Sequence, residues 1–286
     1  MSSSAPTTDY AQQAISAMGP NINPRLRTVV TSLIRHLHAF ARETSLTTDE
    51  WLAGVEMINA AGRMSVPGKR NEGRLLCDVI GLESLIDGLA HTTANASATE
   101  SSLLGPYYRP DAPVLPSNSS IIHNPAPPAD GIVAYLYGRV YNSVTGAPVT
   151  DATLDLWQAS TNGLYEHEDK EQVDYNLRGK ICVDGEGNYG VYCLKPTAYS
   201  IPNDGVAGDL LRLLDRDPMR PGHIHIVAKH PSYKTLITQI FDRGDKYVSH
   251  DPVFAVRDSL VVDFVERKGD PKAAVETKFD IGLVPA

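Results

Sequence analysis

The spacing of apolar residues changes near residue 100, and this change restricts the folds that the chain can adopt. Before that point apolar residues recur at helical spacing, as in Val29, Val30, Leu33, Ile34, Leu37 and Phe40. A second helix is predicted to begin at Thr47, where Glu50 completes a capping box, and to turn inward Leu52, Val55 and Ile58. A third helix is predicted over residues 75–89.

Beyond residue 105 the apolar residues alternate in short segments separated by turns. The segments are IVAYLYGRVYN, ATLDLWQA, GNYGVYCL, HIHIVAK, TLITQIF and LVVDFV, with no helical pattern between them. This pattern predicts an all-β sandwich core of two mostly antiparallel sheets, preceded by an α-helical region. The expected parts are a disordered leader over residues 1–20, the helical region over 21–104 and the β-sandwich domain over 105–286.

Composition excludes several classes of protein. The chain has 26 Lys and Arg against 34 Asp and Glu, a formal net charge of −8, which argues against nucleic acid or an anionic membrane as the main partner. No apolar run approaches the roughly 20 residues of a membrane span, and the first residues lack the features of a signal peptide. A cytoplasmic protein is expected. The cysteines, Cys77, Cys182 and Cys193, form neither a disulfide framework nor a CxxC metal motif.

The segment His223-Ile224-His225 is the sharpest local signal for chemistry. Side chains alternate along a strand, so both histidines share one face, with their attachment points about 6.6 Å apart. Two imidazoles at that spacing can bind one metal ion, and Arg220 in the preceding turn would place a permanent cation beside them. Two unrelated half-buried histidines are the alternative.

Two histidines seldom complete a metal site, so further ligands are needed. Carboxylates near strand ends would complete a ferrous facial triad, and the candidates are Asp155, Asp242 and Asp245. Tyrosines are the other option: Tyr165 and Tyr199 lie at predicted strand-to-loop junctions, where functional side chains are often held. Position alone does not separate these two from the other tyrosines, among them Tyr141, Tyr189 and Tyr247.

Four segments, in this order along the chain, resemble the intradiol ring-cleaving dioxygenases. They are TLDLWQASTNGLYEHEDKEQVDYNLRGK, KPTAYSIP, RPGHIHIVAKHP and LITQIFDRGDKYVSHDPVFAV. GPYYRPDAP also resembles the segment that forms the substrate wall in that family. The helical region is similar to the dimerisation region of the catechol and hydroxyquinol branch. The resemblance therefore implies an enzyme of aromatic catabolism that uses O2.

The resemblance implies one non-heme Fe(III) per subunit, with four ligands at Tyr165, Tyr199, His223 and His225. Ferric iron prefers anionic oxygen donors, and two phenolates plus one hydroxide balance its charge. The family's catalytic arginine falls on Arg220 and its polar glutamine on Gln239. Tyr199 is implied to leave the metal and act as the base toward the diol, while Arg220 stabilises the anionic ring.

The resemblance also implies a substrate pocket, whose lining residues are Leu75, Asp78, Leu103, Leu104, Gly105, Pro106, Tyr107, Ile201, Pro202, Phe254 and Ala255. A carboxylate at Asp78 would satisfy an additional ring hydroxyl and stand unpaired against plain catechol. The expected substrate is therefore hydroxyquinol (benzene-1,2,4-triol), cleaved to 3-hydroxymuconate, with catechol as the close alternative. A homodimer through the N-terminal helices is expected. Relatives of this branch hold a lipid at that dimer interface.

Two rival functions use the same sequence features differently. The histidine pair with Glu166, His167 or Asp242 could form a zinc site or a ferrous site with a carboxylate ligand. The chain could instead be a non-enzymatic β-sandwich carrier with structural histidines. Both rivals leave the joint presence of Tyr165, Tyr199 and Arg220 unexplained.

Overall fold

The computed structural model describes residues 9–66, 70–91 and 97–286. The chain divides into two compact units, one ending at Ala60 and the other covering Ala61–Ala286. This boundary differs from the expected one at residue 104. Residues 1–8 of the expected leader lie outside the described residues.

Helices form the first unit. They are α1 (Tyr10–Ser16), α2 (Pro24–Glu43) and α3 (Thr48–Met64), whose last turn enters the second unit. Helix α1 lies inside the leader that was expected to be disordered, so that expectation is wrong for its residues; the Asp9 side chain caps it by accepting from the Gln12 amide at 3.0 Å. The capping box of α3 is confirmed, because the Thr47 and Glu50 side chains each accept from the other residue's backbone amide.

The apolar faces of α2 and α3 are exposed. The exposed residues are Leu26, Val29, Leu33, Leu37 and Phe40 on α2, and Trp51, Leu52, Val55 and Ile58 on α3. The expectation that Leu52, Val55 and Ile58 point inward is therefore wrong for the single chain. The periodicity identified one apolar face correctly, but it does not say whether the same chain or another one covers that face.

The predicted helix over 75–89 is divided in two. Helix α4 (Glu72–Val79) and helix α5 (Leu82–His91) are separated at Gly81, whose φ of 77° ends the first helix. Leu75 and Val79 on α4 join the main hydrophobic core of the second unit. This packing explains why the unit boundary precedes α4.

Two sheets and a small strand pair make up the rest of the second unit. The first sheet has the order β1 (Val114–Leu115), β5 (Arg178–Cys182), β4 (Thr153–Trp157), β9 (His223–Lys229), β10 (Leu236–Asp242), β11 (Val261–Val262). The second has the order β12 (Val265–Glu266), β13 (Val275–Lys278), β3 (Val133–Asn142), β6 (Asn188–Leu194), β2 (Ser119–Ser120), and β14 (Ile281–Leu283) also pairs with β3. The small pair joins β7 (Tyr199–Ser200) to β8 (Met219–Arg220).

The two-sheet sandwich is confirmed, with two differences from the expectation. The long pairs β3–β6, β4–β5, β4–β9 and β9–β10 are antiparallel, whereas β1, β2, β11, β13 and β14 pair in parallel. A helix that was not predicted, α6 (Val206–Leu213), lies between β7 and β8 and buries Val206, Ala207 and Leu211. Within the described residues, no helix is long and apolar enough to cross a membrane.

Candidate metal centre and active site

The register of three strands brings the predicted histidines to one face of the first sheet. His223 and His225 lie on β9, and both are buried. His225 lies directly opposite Trp157 on β4 and Gln239 on β10. Directly opposite residues of a sheet share a face, so these side chains point to the same side. The intervening Ile224 points into the main core.

The two predicted tyrosines reach the histidines from loops. Tyr165 follows β4 after a turn at Gly163, whose φ is 81°, and Tyr199 opens β7. The Tyr165 Oη atom lies 3.0 Å from Tyr199 Oη and 3.1 Å from His225 Nε2. The Tyr199 Oη atom lies 3.3 Å from His223 Nε2. Two phenol oxygens and two imidazole nitrogens thus converge on one point.

The predicted arginine and glutamine join this cluster through a buried ion pair. Arg220 on β8 donates from Nε to Asp251 Oδ1 at 3.0 Å and from Nη2 to Gln239 Oε1 at 2.9 Å. Its Nη1 lies 3.0 Å from His223 Nε2. Gln239 Nε2 in turn donates to the Leu103 carbonyl at 2.6 Å. The guanidinium is therefore fixed against the histidine and oriented by the side-chain oxygens of Asp251 and Gln239.

Burial keeps the converging groups neutral in the chain alone. It raises the pKa of Tyr165 well above the usual value and also raises that of Tyr199, where the nearby Arg220 charge opposes the shift. Burial, with the Arg220 charge, lowers the pKa of His223 to about 3, and burial also lowers that of His225 well below its usual value. Although burial opposes the charge of Arg220, the Asp251 carboxylate raises the guanidinium pKa above its usual value.

A second buried ion pair supports Tyr165. Glu166 accepts from Arg178 Nε at 2.6 Å and from Arg109 Nη1 at 2.9 Å. Burial raises the pKa of Glu166, but a hydrogen bond with His167 and the contacts with both arginines outweigh it and lower this pKa to about 2. Arg178 also donates to the Tyr107 carbonyl at 2.6 Å, and the Tyr107 ring packs 4.7 Å from the Tyr165 ring.

The predicted pocket residues lie in the second unit, and several touch the cluster. The ring of His225 lies against Gly105, where a Cβ atom would approach its Cε1 atom to 3.0 Å. The Ala255 amide donates to Asp251 at 3.1 Å. Leu75 and Ile201 belong to the main core, and Phe254 is half exposed, with Arg216 over its ring. Pro106 and Pro202 directly follow Gly105 and Ile201 in the chain.

Asp78 is buried on α4, and its Oδ1 atom has no hydrogen-bond partner among the described residues. Burial raises the pKa of this carboxyl, and a hydrogen bond to Glu83 raises it further. Glu83 itself pairs with Arg74 through both carboxylate oxygens; these contacts outweigh burial and lower the Glu83 pKa. Burial therefore favours the neutral form of Asp78, against the opposing charges of Arg74 and Arg220.

The alternative metal ligands do not come together. In the described parts of the chain, no three His, Cys, Asp or Glu side chains could hold a metal ion. Glu166 forms ion pairs with Arg178 and Arg109. Asp242 pairs with Lys195 at 2.9 Å, and Asp245 accepts from the Gly222 amide. The carboxylate-based zinc and ferrous sites are therefore not supported.

Known proteins match the whole length of this arrangement. The family model described as catechol dioxygenase N terminus matches residues 23–98, and the model described as dioxygenase matches 103–285. An intradiol ring-cleavage dioxygenase of Aspergillus niger is 46% identical over 96% of this chain and 87% of its own length. The chain belongs to the intradiol ring-cleavage dioxygenases. A catechol 1,2-dioxygenase of Candida albicans is 44% identical, covering 96% of this chain and 90% of its own.

A solved structure agrees with these sequence relatives. The hydroxyquinol 1,2-dioxygenase of Pseudomonas putida superimposes on this intradiol dioxygenase with a TM-score of 0.88 at 32% sequence identity. The match covers 96% of this chain and 97% of that one. The expected family and fold are confirmed.

Three residues at the centre were not predicted: Asp251, Arg178 and Trp157. A buried arginine requires a carboxylate, so Arg220 implied a partner such as Asp251 without identifying it. Arg178 and Trp157 are placed by strand register, which the sequence pattern does not give.

The Asp251→Asn substitution tests the buried ion pair. We expect the free energy of unfolding at pH 7 to fall by about 3–5 kcal/mol, because Arg220 would keep a buried charge without a counter-charge. The Asp251 pKa lies below its unfolded value, so the carboxylate stabilises the fold above about pH 4 and loses this effect as the pH falls through the folded pKa. The difference between variant and wild type should therefore shrink in acid.

Urea denaturation at several pH values measures this difference. The matched control is Asp263→Asn, since the Arg243–Asp263 pair has a similar distance of 3.0 Å but is exposed. The control should cost at most about 1 kcal/mol. Equal losses in the two variants would contradict the assignment.

Proposed function

We propose that Tyr165, Tyr199, His223 and His225 hold one ferric ion in each subunit. The observation that carries the proposal is the convergence of two phenol oxygens and two imidazole nitrogens at 3.0–3.3 Å. The His223 Nδ1 atom lies 2.8 Å from the Pro221 carbonyl, so its proton belongs there and the Nε2 lone pair faces the cluster. The low pKa values keep both rings neutral, and the His223 Nε2 lone pair accepts from Arg220 Nη1 at 3.0 Å.

The donor set favours ferric iron over softer or divalent ions. Hard oxygen donors suit a hard trivalent cation, whereas two imidazoles alone would suit zinc or ferrous iron. The raised pKa values of Tyr165 and Tyr199 mean that only a strong cation keeps both phenols ionised in this buried place. The buried Arg220 is already neutralised by Asp251, so it competes little with such a cation.

The reaction proposed is oxidative cleavage of a 1,2-dihydroxybenzene between its two hydroxyl-bearing carbons, with both atoms of O2 entering the product. Bound ferric iron supplies the Lewis acidity that ionises the diol and prepares its ring for O2. Tyr199 Oη takes one of the diol protons. It suits this role better than Tyr165 because it lies on a short, half-buried strand, whereas Tyr165 is 1% exposed and packed by Tyr107.

Arg220 and Gln239 act on the charge of the substrate. The Arg220 guanidinium is held 3.0 Å from His223 and stabilises the anionic ring as electron density moves during the reaction. Gln239 is anchored by the Leu103 carbonyl and bonded to Arg220, so it orients oxygen-bearing groups at a fixed position. These donors are set before the substrate arrives, so the reaction needs no rearrangement of them.

We infer that hydroxyquinol is the preferred substrate, because Asp78 offers an unpaired buried oxygen. Its Oδ1 atom would accept a hydrogen bond from the third ring hydroxyl. The similarity to the P. putida hydroxyquinol dioxygenase supports this choice. Because burial raises the pKa of Asp78 and favours its neutral form, plain catechol leaves only a neutral group unpaired, which is a small penalty. Catechol is therefore the second candidate, and the 44% identity to the Candida enzyme favours it.

The exposed stripe of α2 supports a homodimer. Leu26, Leu33, Leu37 and Phe40 lie along one side of the helix, each about half exposed. Such a continuous apolar surface is typical of an interface between proteins. A second copy of the same helix is the occupant we propose, since self-complementary apolar patches are the usual basis of twofold dimers.

The single variants Tyr165→Phe and Tyr199→Phe test the ligand set. Each should weaken the visible absorption band of the iron-loaded protein and lower turnover by more than about 100-fold, because loss of a group behind a ligand already costs 10–100-fold. Oxygen uptake and the absorption spectrum measure these changes.

The matched control is Tyr189→Phe, a buried tyrosine whose hydroxyl donates to the Phe279 carbonyl at 2.6 Å. It should keep both the band and the turnover. If both ligand variants behave like the control, the proposed ligand set is wrong.

The Asp78→Leu substitution tests the substrate preference. The ratio of kcat/KM for hydroxyquinol over kcat/KM for catechol should fall about fivefold, since a hydrogen bond contributes roughly 1 kcal/mol. Steady-state oxygen uptake with each substrate gives the ratio. Asp209→Asn, an exposed acid on α6, is the control and should leave it unchanged. An unchanged ratio in Asp78→Leu would show that this carboxyl does not select the substrate.

The Leu33→Asp substitution tests the dimer. Sedimentation velocity should find a dimer for the wild type and a monomer for the variant, because the new carboxylate would be buried in the proposed dimer interface. Arg35 lies on the opposite side of α2, so the control variant Arg35→Asp should remain dimeric. A monomeric wild type would contradict the proposal.

A further inference from the structure

The two histidines of β9 are held in different ways. His223 is fixed by a hydrogen bond from Nδ1 to the Pro221 carbonyl at 2.8 Å. The Nδ1 atom of His225 is buried and has no hydrogen-bond partner among the residues that the structure describes. A histidine that binds a metal almost always donates its second ring N–H to a partner that fixes the ring. His225 therefore needs another means of orientation.

The ring of Trp157 supplies a flat surface for His225. The two ring centroids lie 4.6 Å apart, and the planes differ by only 4°. Trp157 is 1% exposed and lies directly opposite His225 in the β4–β9 register, so the strands themselves bring the rings together. The Tyr108 ring packs against Trp157 at 5.2 Å. The indole therefore cannot turn away without disturbing its neighbours.

The backbone at Gly105 limits the edge of the same imidazole. Gly105 has a φ of 74°, and a Cβ atom built there would lie 3.0 Å from His225 Cε1. A side chain at this position would push the ring. The imidazole is thus confined by the indole face, by Gly105 and by the contact of Nε2 with Tyr165 Oη at 3.1 Å.

We propose that Trp157 is a positioning residue for the metal centre, and that its stacking on His225 replaces the hydrogen bond that fixes His223. The proposal rests on the proposed function, because it requires His225 to be an iron ligand. The stacking sets the direction of the His225 Nε2 lone pair. It therefore affects iron affinity and the ligand field before any substrate binds.

The test compares the ferric affinity and the visible spectrum of Trp157→Leu and Trp157→Phe with those of the wild type. Competition with a ferric chelator measures the affinity. Trp157→Leu should bind iron about tenfold more weakly and shift the visible band, since such supporting groups contribute 10–100-fold to metal affinity. Trp157→Phe keeps a flat ring and should recover most of the affinity and the original band.

Leu156→Val is the matched control. Leu156 is the preceding residue of β4, is equally buried, and points to the opposite face of the sheet into the main core. It should lower the melting temperature without changing iron affinity or the band. If Leu156→Val weakens iron binding as much as Trp157→Leu, the effect is general loosening of the sheet and the proposal is wrong.

Gly105→Ala gives a second approach that leaves β4 intact. It should shift the band, because the added methyl group displaces the imidazole from its stacked position. Native iron affinity and an unshifted band in both Trp157→Leu and Gly105→Ala would overturn the proposal. If His225→Ala loses iron while these variants do not, only the positioning role fails. If His225→Ala keeps native iron binding, the proposed ligand set fails with it.

Discussion

Burial of titratable groups is the constraint on which the rest of the site depends. Two phenols and two imidazoles meet in a largely buried place, and burial shifts the pKa of each toward its neutral form. We propose that a highly charged cation ionises the phenols and binds the imidazole nitrogens here, against the cost of burying charge. The permanent positive charge of Arg220 is tolerated because Asp251 pairs with it. The electrostatics thus explain why a tyrosine-rich site and a buried arginine occur together.

The strand register of the first sheet places the residues of the site. Trp157, His225 and Gln239 lie side by side on β4, β9 and β10, so one register fixes the proposed ligand His225 and the two residues proposed to act beside it. A slip of one residue in β9 would move both histidines to the other face and bring Ile224 to the metal site. The tyrosines and Arg220 come from the small β7–β8 pair and from loops. The proposed histidine ligands therefore lie on a long strand, whereas Tyr199 lies on a short one, which suits its proposed role of taking a proton.

Much of the site could be predicted from sequence because its residues lie in short local patterns. The alternation of β9 placed His223 and His225 on one face, and the resemblance to the family indicated Tyr165, Tyr199, Arg220 and Gln239. The sandwich was also predictable from alternation between turns. Asp251, Arg178 and Trp157 were not, because they reach the site through long-range pairing and register. The break at Gly81, the helix α6 and the exposed faces of α2 and α3 were missed for a related reason: apolar spacing does not show where a helix ends or what covers it.

The visible absorption spectrum of the iron-loaded protein, before and after anaerobic addition of hydroxyquinol and then catechol, tests the central claim most directly. The account predicts a broad visible band from tyrosinate-to-ferric charge transfer, which shifts to longer wavelength when either diol binds the metal. Hydroxyquinol should produce the shift at the lower concentration, because Asp78 accepts from its third hydroxyl. A protein that binds ferric iron stoichiometrically but lacks this band would contradict the tyrosine ligands, and a band that neither diol alters would contradict direct binding of the substrate at the centre.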